Sequence, residues 1–153
     1  MDEDPGAAVK ELLERVVTAL GLDATVEISD EGETVTGIVH GEDLGLFIGR
    51  HGQTIDALQH LAQRVCGARA QHRRRIVIDA EGYRERREML LRRKADRAAE
   101  DALHRGRPVA LDATTASERR LVHEYLREHG SVQTYSEGDE PERHLVVAPL
   151  NPA

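Results

Sequence analysis

Residues 44–58 read LGLFIGRHGQTIDAL. An apolar run stops at Gly49, a basic pair follows, and a helical pattern resumes after Gly52. A plain turn needs one glycine, seldom two. Two glycines remove two Cβ atoms, so an outside backbone could approach the turn closely. The next helix would offer unpaired N–H groups and the positive end of its dipole. Arg50 and His51 add donors at the tip, with Gln53 and Thr54 as further hydrogen-bonding groups. The expected ligand is a phosphodiester backbone. A nucleotide P-loop is excluded, because its Lys-Ser/Thr is missing and no strand runs into the turn. Taken alone, GxxG also fits a simple helix–helix connection.

Upstream, Val9, Leu12, Leu13, Val16, Val17 and Leu20 form one stripe of an amphipathic helix that Gly21 stops. ATVEIS and ETVTGIVH read as a hairpin across the turn Ser29–Gly32. Asp43 to Ile48 reads as a short helix. After the turn, Ile55, Leu58, Leu61, Ala62 and Val65 form the stripe of a helix ended by Gly67. RRRIVIDAEGY is a third strand, with Ile76 and Ile78 on one face. The order is α-β-β-α-α-β. A long Arg/Glu/Leu/Ala helix then runs from Tyr83 to Arg105 with a thin seam of Leu91, Ala95, Ala98 and Ala102, and Gly106 and Pro108 end it. PVALD is a short strand. Thr114 to Glu118 supply N-cap residues for a helix closed by Gly130. SVQTYSEG and RHLVVAPL are two more strands joined by the polar link EGDEPE. The fold class is α+β, with domains expected at 1–81 and 82–153.

Net charge is −7, yet it is unevenly spread. Residues 1–63 hold 3 Lys/Arg against 13 Asp/Glu, residues 64–107 hold 14 against 7, and residues 108–153 hold 4 against 8. A segment of net +7 is thus flanked by segments of −10 and −4, and local potential governs attraction to a polyanion. Arg73, Arg74 and Arg75 read equally as a solvated strand edge or part of a basic surface. No run approaches the eighteen or so apolar residues of a membrane span, and MDEDPGAAVK lacks the order of a secretory signal. Cys66 is the only cysteine, which fits a reducing cytoplasm and a small buried hydrophobe. Asp2, Glu3 and Asp4 read as a frayed terminus. His40, His60, His72, His104, His129 and His144 have no metal-ligand spacing. No nucleophile motif is present. These features give no catalytic residue, no metal and no cofactor, so the chain reads as a binding protein and not an enzyme.

The αββααβ order with I-G-x-x-G between its central helices resembles the type II KH domain, a family that clamps about four nucleotides of single-stranded nucleic acid. IGRHGQTIDALQHL is closer still to the KH domain of the Jag (SpoIIIJ-associated, KhpB) family of bacterial RNA-binding proteins. That likeness implies that Gly49, Arg50, His51 and Gly52 hold the backbone, with Ile48 and Ile55 lining an apolar groove and Gln53 and Thr54 beside it. The family's loop tip is usually a pair of Lys or Arg; here His51 takes the second position. Phe47, Tyr83, Tyr125 and Tyr135 are too few for the stacking platforms of an RRM or OB-fold, which a KH groove does not need.

Arg119 and His123, four apart, share one helix face. SERRLVHEYLREHGSVQTYSEGDEPERHLVVAP is similar to the Arg-x-x-x-His (R-3-H) domain, a small module with a three-stranded sheet packed with helices. The resemblance implies that Arg119 binds phosphate, that His123 binds phosphate or supports Arg119, and that Arg143 belongs to the same site. KH first and R-3-H second, across a long connecting helix, is the Jag arrangement over nearly all of residues 8–150. It implies single-stranded RNA as ligand, post-transcriptional regulation in a bacterial cytoplasm affecting envelope growth or division, and a small KH-only (KhpA-like) heterodimer mate. Longer members carry a further N-terminal domain, and functions of that domain, membrane-protein insertion among them, are not expected here. No small-molecule substrate and no membrane insertion are implied. No residue pattern reads a 2′-OH, so single-stranded DNA stays open. The rival reading is a protein-interaction adaptor, ribosome or division associated, with weak RNA binding.

Overall fold

The computed structural model describes residues 4–67, 73–113 and 115–151. Asp2, Glu3, His72 and Thr114, named above, lie outside them. The chain divides into two compact units, Met1–Arg84 and Glu85–Ala153.

The first unit begins with α1 (Pro5–Ala19), where the Asp4 side chain accepts the Gly6 N–H and Pro5 opens the first turn. Val9, Leu13 and Val17 are buried, whereas Leu20, at the end of the expected stripe, is exposed. The hairpin is β1 (Ala24–Glu31) and β2 (Thr34–Gly41), antiparallel, and β2 pairs in parallel with β3 (Arg75–Ala80). Strand β1 runs through Ser29–Glu31, so the turn falls later than the sequence suggests. Gly37, in mid-strand, lets α1 come close: a Cβ there would lie 2.6 Å from Leu13 Cδ1. Next come α2 (Gly45–Ile48), a tight 3₁₀ turn (Arg50–Gly52), α3 (Gln53–Ala62) and a π turn (Gln63–Gly67). This is the αββααβ order of a type II KH domain. Phe47, Ile55, Ile76 and Ile78 are fully buried in its core with Leu13.

Two glutamines finish the free edge of β3. Gln59 Oε1 accepts the Ile78 N–H at 3.0 Å, and Gln63 Oε1 accepts the Ile76 N–H at 2.8 Å. They are four apart on adjoining helical turns and so reach alternate residues of one strand. Edge donors that would otherwise template another strand are thereby used internally. Arg74 forms an ion pair with Asp30, which gives the middle arginine of the basic run a structural role.

On the same sheet, His40 Nε2 lies 2.6 Å from Glu27 and Nδ1 lies 3.4 Å from Glu81. The hydrogen bond to Glu27 raises the His40 pKa above its usual 6.5, against a small loss of hydration. A raised pKa means that the folded state favours the charged ring. The stabilisation is complete below the ordinary histidine range and fades as pH rises through the folded value. An NMR titration should place the His40 midpoint above 6.5, and Glu27→Gln should bring it down. A midpoint unmoved by that substitution would refute the pairing.

The second unit takes nearly all of α4 (Tyr83–Arg105), then β4 (Val109–Leu111), α5 (Ala116–Leu126), β5 (Val132–Glu137) and β6 (His144–Pro149). The sheet order is β4-β6-β5, antiparallel throughout. Leu91, Ala95, Ala98, Ala99 and Ala102 of α4 are buried with Val122 and Leu126 of α5 and with Leu145 and Val147 of β6. The small residues of the α4 seam allow close packing of its neighbours. Helix α5 is capped by the Thr115 hydroxyl, which accepts the Glu118 N–H at 3.2 Å. It ends at Leu126, short of Gly130.

Candidate nucleic-acid interface

The GRHG turn joins α2 to α3. Gly49 has φ 75° and ψ 173°, a region essentially closed to side-chain-bearing residues, and Gly52 is left-handed at φ 77°. His51 between them is also left-handed, at φ 56°. Histidine is among the non-glycine residues enriched there, which is a physical reason for His51 at this tip. Gly52 is the N-cap of α3 and offers no side-chain acceptor; the Gln53 N–H donates to Arg50 O, and no side chain caps the first turn. Arg50 and Gln53 are exposed beside that helix start, and His51 and Thr54 are half-buried. Asp56, the one acidic residue of the first turn, is engaged by Arg84 Nη1 at 2.8 Å, which offsets its repulsion of an anion.

The glycines do more than the sequence argument supposed. A Cβ on Gly49 would lie 2.2 Å from Thr54 Oγ1 and 2.8 Å from Thr54 N. One on Gly52 would lie 2.7 Å from the Tyr83 hydroxyl. The missing Cβ atoms make room for this chain's own Thr54 and Tyr83. Thr54 therefore packs back on the turn. Ile55 is fully buried and cannot line a groove, which corrects that expectation. Ile48 is half-buried, and Leu46, which the sequence reading passed over, is 64% exposed.

In the second unit, Arg119, His123 and Arg143 line one open groove of about 400 Å³ with Arg120, Thr134, Ser136 and Leu145. The three sequence-selected residues are thus brought together by α5, β5 and the link before β6. Thr134 bonds His123 Nδ1, and Arg143 Nη1 donates to Gly138 O at 2.8 Å. Arg119 is turned inward: its side chain is 8% exposed, with Nη2 2.6 Å from Glu140 and Nη1 3.3 Å from Arg143 O. The polar floor of Thr134 and Ser136 could have been read from the alternation of SVQTYSEG; the partner of Arg119 could not.

A further groove of about 390 Å³ lies between α1 and the π turn, lined by Ala7, Ala8, Leu12, Val65 and Cys66 with Asp4, Glu11 and Arg15 also contributing. It is mostly apolar and holds no basic cluster, so it does not suit phosphate. Among the described residues no three His, Cys, Asp or Glu side chains are grouped to hold a metal ion, and no helix is long and apolar enough to cross a membrane.

Both units have counterparts among known domains. The KhpA/KhpB KH domain family matches residues 7–78, and the R-3-H domain family matches residues 89–149. The two folds define a KH plus R-3-H protein. The chain is 37% identical over 141 residues to RNA-binding protein KhpB of Lactiplantibacillus plantarum, covering 92% of this chain and 44% of that protein. It is 34% identical over 140 residues to RNA-binding protein KhpB of Clostridium symbiosum, covering 90% and 63%. For RNA-binding protein KhpB of Bacillus subtilis the identity is 30% over 147 residues, covering 95% and 71%. The chain belongs to the KhpB family. It spans 44% and 63% of the lengths of the first two relatives.

Proposed function

We propose that this chain binds single-stranded RNA and acts as a post-transcriptional regulator in the cytoplasm, without catalysis. The observation that carries the reading is the start of α3, which no side chain caps, beside exposed Arg50 on a turn fixed by Gly49 and Gly52. Backbone N–H groups and a helix dipole suit a phosphate, and the guanidinium adds a charged donor. The α5 groove supplies a second phosphate contact through the cations at its mouth. Membership of a family whose curated members are named RNA-binding proteins supports the same ligand. The assigned residues are Ile48, Gly49, Arg50, His51, Gly52, Gln53 and Thr54 in the first unit, and Arg119, His123 and Arg143 in the second.

The test is fluorescence-anisotropy binding to short single-stranded RNA and matched DNA across a salt series. About four phosphate contacts at roughly −0.7 each give a log–log slope near −3. Tighter binding to RNA than to DNA is expected. Equal affinities would widen the ligand to either sugar, and salt-insensitive or absent binding would remove the reading.

A protein-interaction role is favoured by one observation, the mostly apolar groove that exposed Val65 lines. A KH-only mate of the KhpA type or a ribosomal or division protein fits that surface. Its binding would not respond to changes at Arg50 and His51.

A further inference from the structure

Resting on the reading of the α5 groove as an RNA surface, we propose that Arg119 is a positioning residue and not a phosphate ligand. Its guanidinium holds the link between β5 and β6 in place, and His123, Arg120 and Arg143 meet the phosphate. Nη2 grips Glu140 at 2.6 Å while Nη1 donates to Arg143 O at 3.3 Å, so one planar fork ties two points of that link to α5. The Arg119 side chain is 8% exposed, whereas that of Glu140 is 62% exposed. The cation is the buried anchor and the carboxylate its outer clasp. To meet a phosphate, Arg119 would have to leave one anion for another and strip its buried bond, a trade with little net gain.

The neighbours are placed differently. The Arg120 side chain is 80% exposed and only loosely held by Glu124 at 3.1 Å. His123 is exposed and bonds Thr134 through Nδ1, which leaves Nε2 as its other ring nitrogen for a ligand. Arg143 sits in the link that Arg119 secures, and its Nη1 is steadied by Gly138 O at 2.8 Å. Loss of the Arg119 clasp therefore misplaces Arg143.

The experiment compares Glu140→Gln with Glu142→Gln in the full chain. Both remove one negative charge from the same link, so general electrostatics cancels in the comparison. A labelled mixed-sequence single-stranded RNA is the probe. Positioning predicts that Glu140→Gln binds more weakly than Glu142→Gln, by about tenfold, the scale of one lost charge-assisted contact. It also predicts a salt slope shallower by roughly 0.7, and shifted amide resonances at Gly138 and Arg143. Arg119→Lys, which keeps the charge and loses the fork, should weaken binding likewise. If Glu140→Gln binds more tightly than Glu142→Gln, Glu140 competes with phosphate for Arg119 and the proposal is overturned. Equal affinities overturn it as well. His123→Ala and Arg143→Ala test the underlying reading separately: if neither weakens binding, this groove is not an RNA surface.

Discussion

The double change Arg50→Asp, His51→Asp is expected to weaken RNA binding by roughly 100-fold and to flatten the log–log salt slope by about 1.4, two contacts at 0.7 each. Charge reversal at this place acts twice. It removes the Arg50 and His51 donors, and it sets carboxylates beside the start of α3, where they compete with phosphate for the N–H groups. The fold should survive. Arg50 is exposed, and Asp is among the few residues that tolerate the left-handed backbone held at position 51. Thermal unfolding and the Tyr83 resonances report whether the turn is intact, since Tyr83 packs on Gly52. Residual, weakly salt-dependent binding is then the share of the α5 groove. If affinity and slope are unchanged in a folded protein, the turn is only a turn, and the apolar groove beside α1 becomes the surface to pursue. Gly49→Ala is a poorer probe of RNA contact, because its clash with the Thr54 backbone would distort the turn itself.

What could be read from the chain depended on how local the cause was. The α4 helix was legible from Tyr83 to Arg105 because a proline-free run of helix formers ends in Gly106 and Pro108. The faces of Ile76 and Ile78 followed from a period of two. The α3 stripe was legible at Ile55, Leu58 and Ala62, but Leu61, expected on it, is exposed. After Ala62 the helix widens into a π turn, the angular step per residue falls, and Cys66 takes the buried place that strict α periodicity would give Val65. Contacts between distant residues left no local trace. Gln59 and Gln63 look like ordinary solvated helix residues until β3 lies beside them. The glycines of the GRHG turn stand out in the sequence, but the close approach of Thr54 and Tyr83 that requires them depends on how the backbone doubles back. Arg119 was found by its spacing to His123, while its inward turn depends on Glu140, which follows 21 residues later. Spacing can nominate a residue for a site; the partner that sets its role comes from tertiary packing.

The same dependence on a distant partner makes Arg87 a costly position to change for stability. Its Nε and Nη2 reach Glu118 Oε1 and Oε2 at 2.6 and 3.1 Å, a two-pronged pair linking α4 to the first turn of α5. Side-chain exposure is 14% for Arg87 and 9% for Glu118, so neither charge can fall back on water. Arg87→Met would strand a buried carboxylate, and breaking such a pair costs about 3–5 kcal/mol. Against a total of about 5–15 kcal/mol for a typical domain, that is a large fraction of the stability of the second unit. The double change Arg87→Met, Glu118→Met should recover most of the loss, because two apolar side chains of similar volume need no mutual charge compensation. Chemical unfolding followed by NMR resonances of Val122 and Leu145 separates this unit from the first. A single-substitution cost below about 1 kcal/mol would class the pair with solvated surface bridges. The functional consequence follows from the position of Glu118, one residue before Arg119 in the first turn of α5. When that turn frays, Arg119 loses its hold on Glu140 and the groove loses its wall. RNA affinity attributable to the second unit should therefore fall with Arg87→Met and return with the double change, even though neither side chain lines the groove.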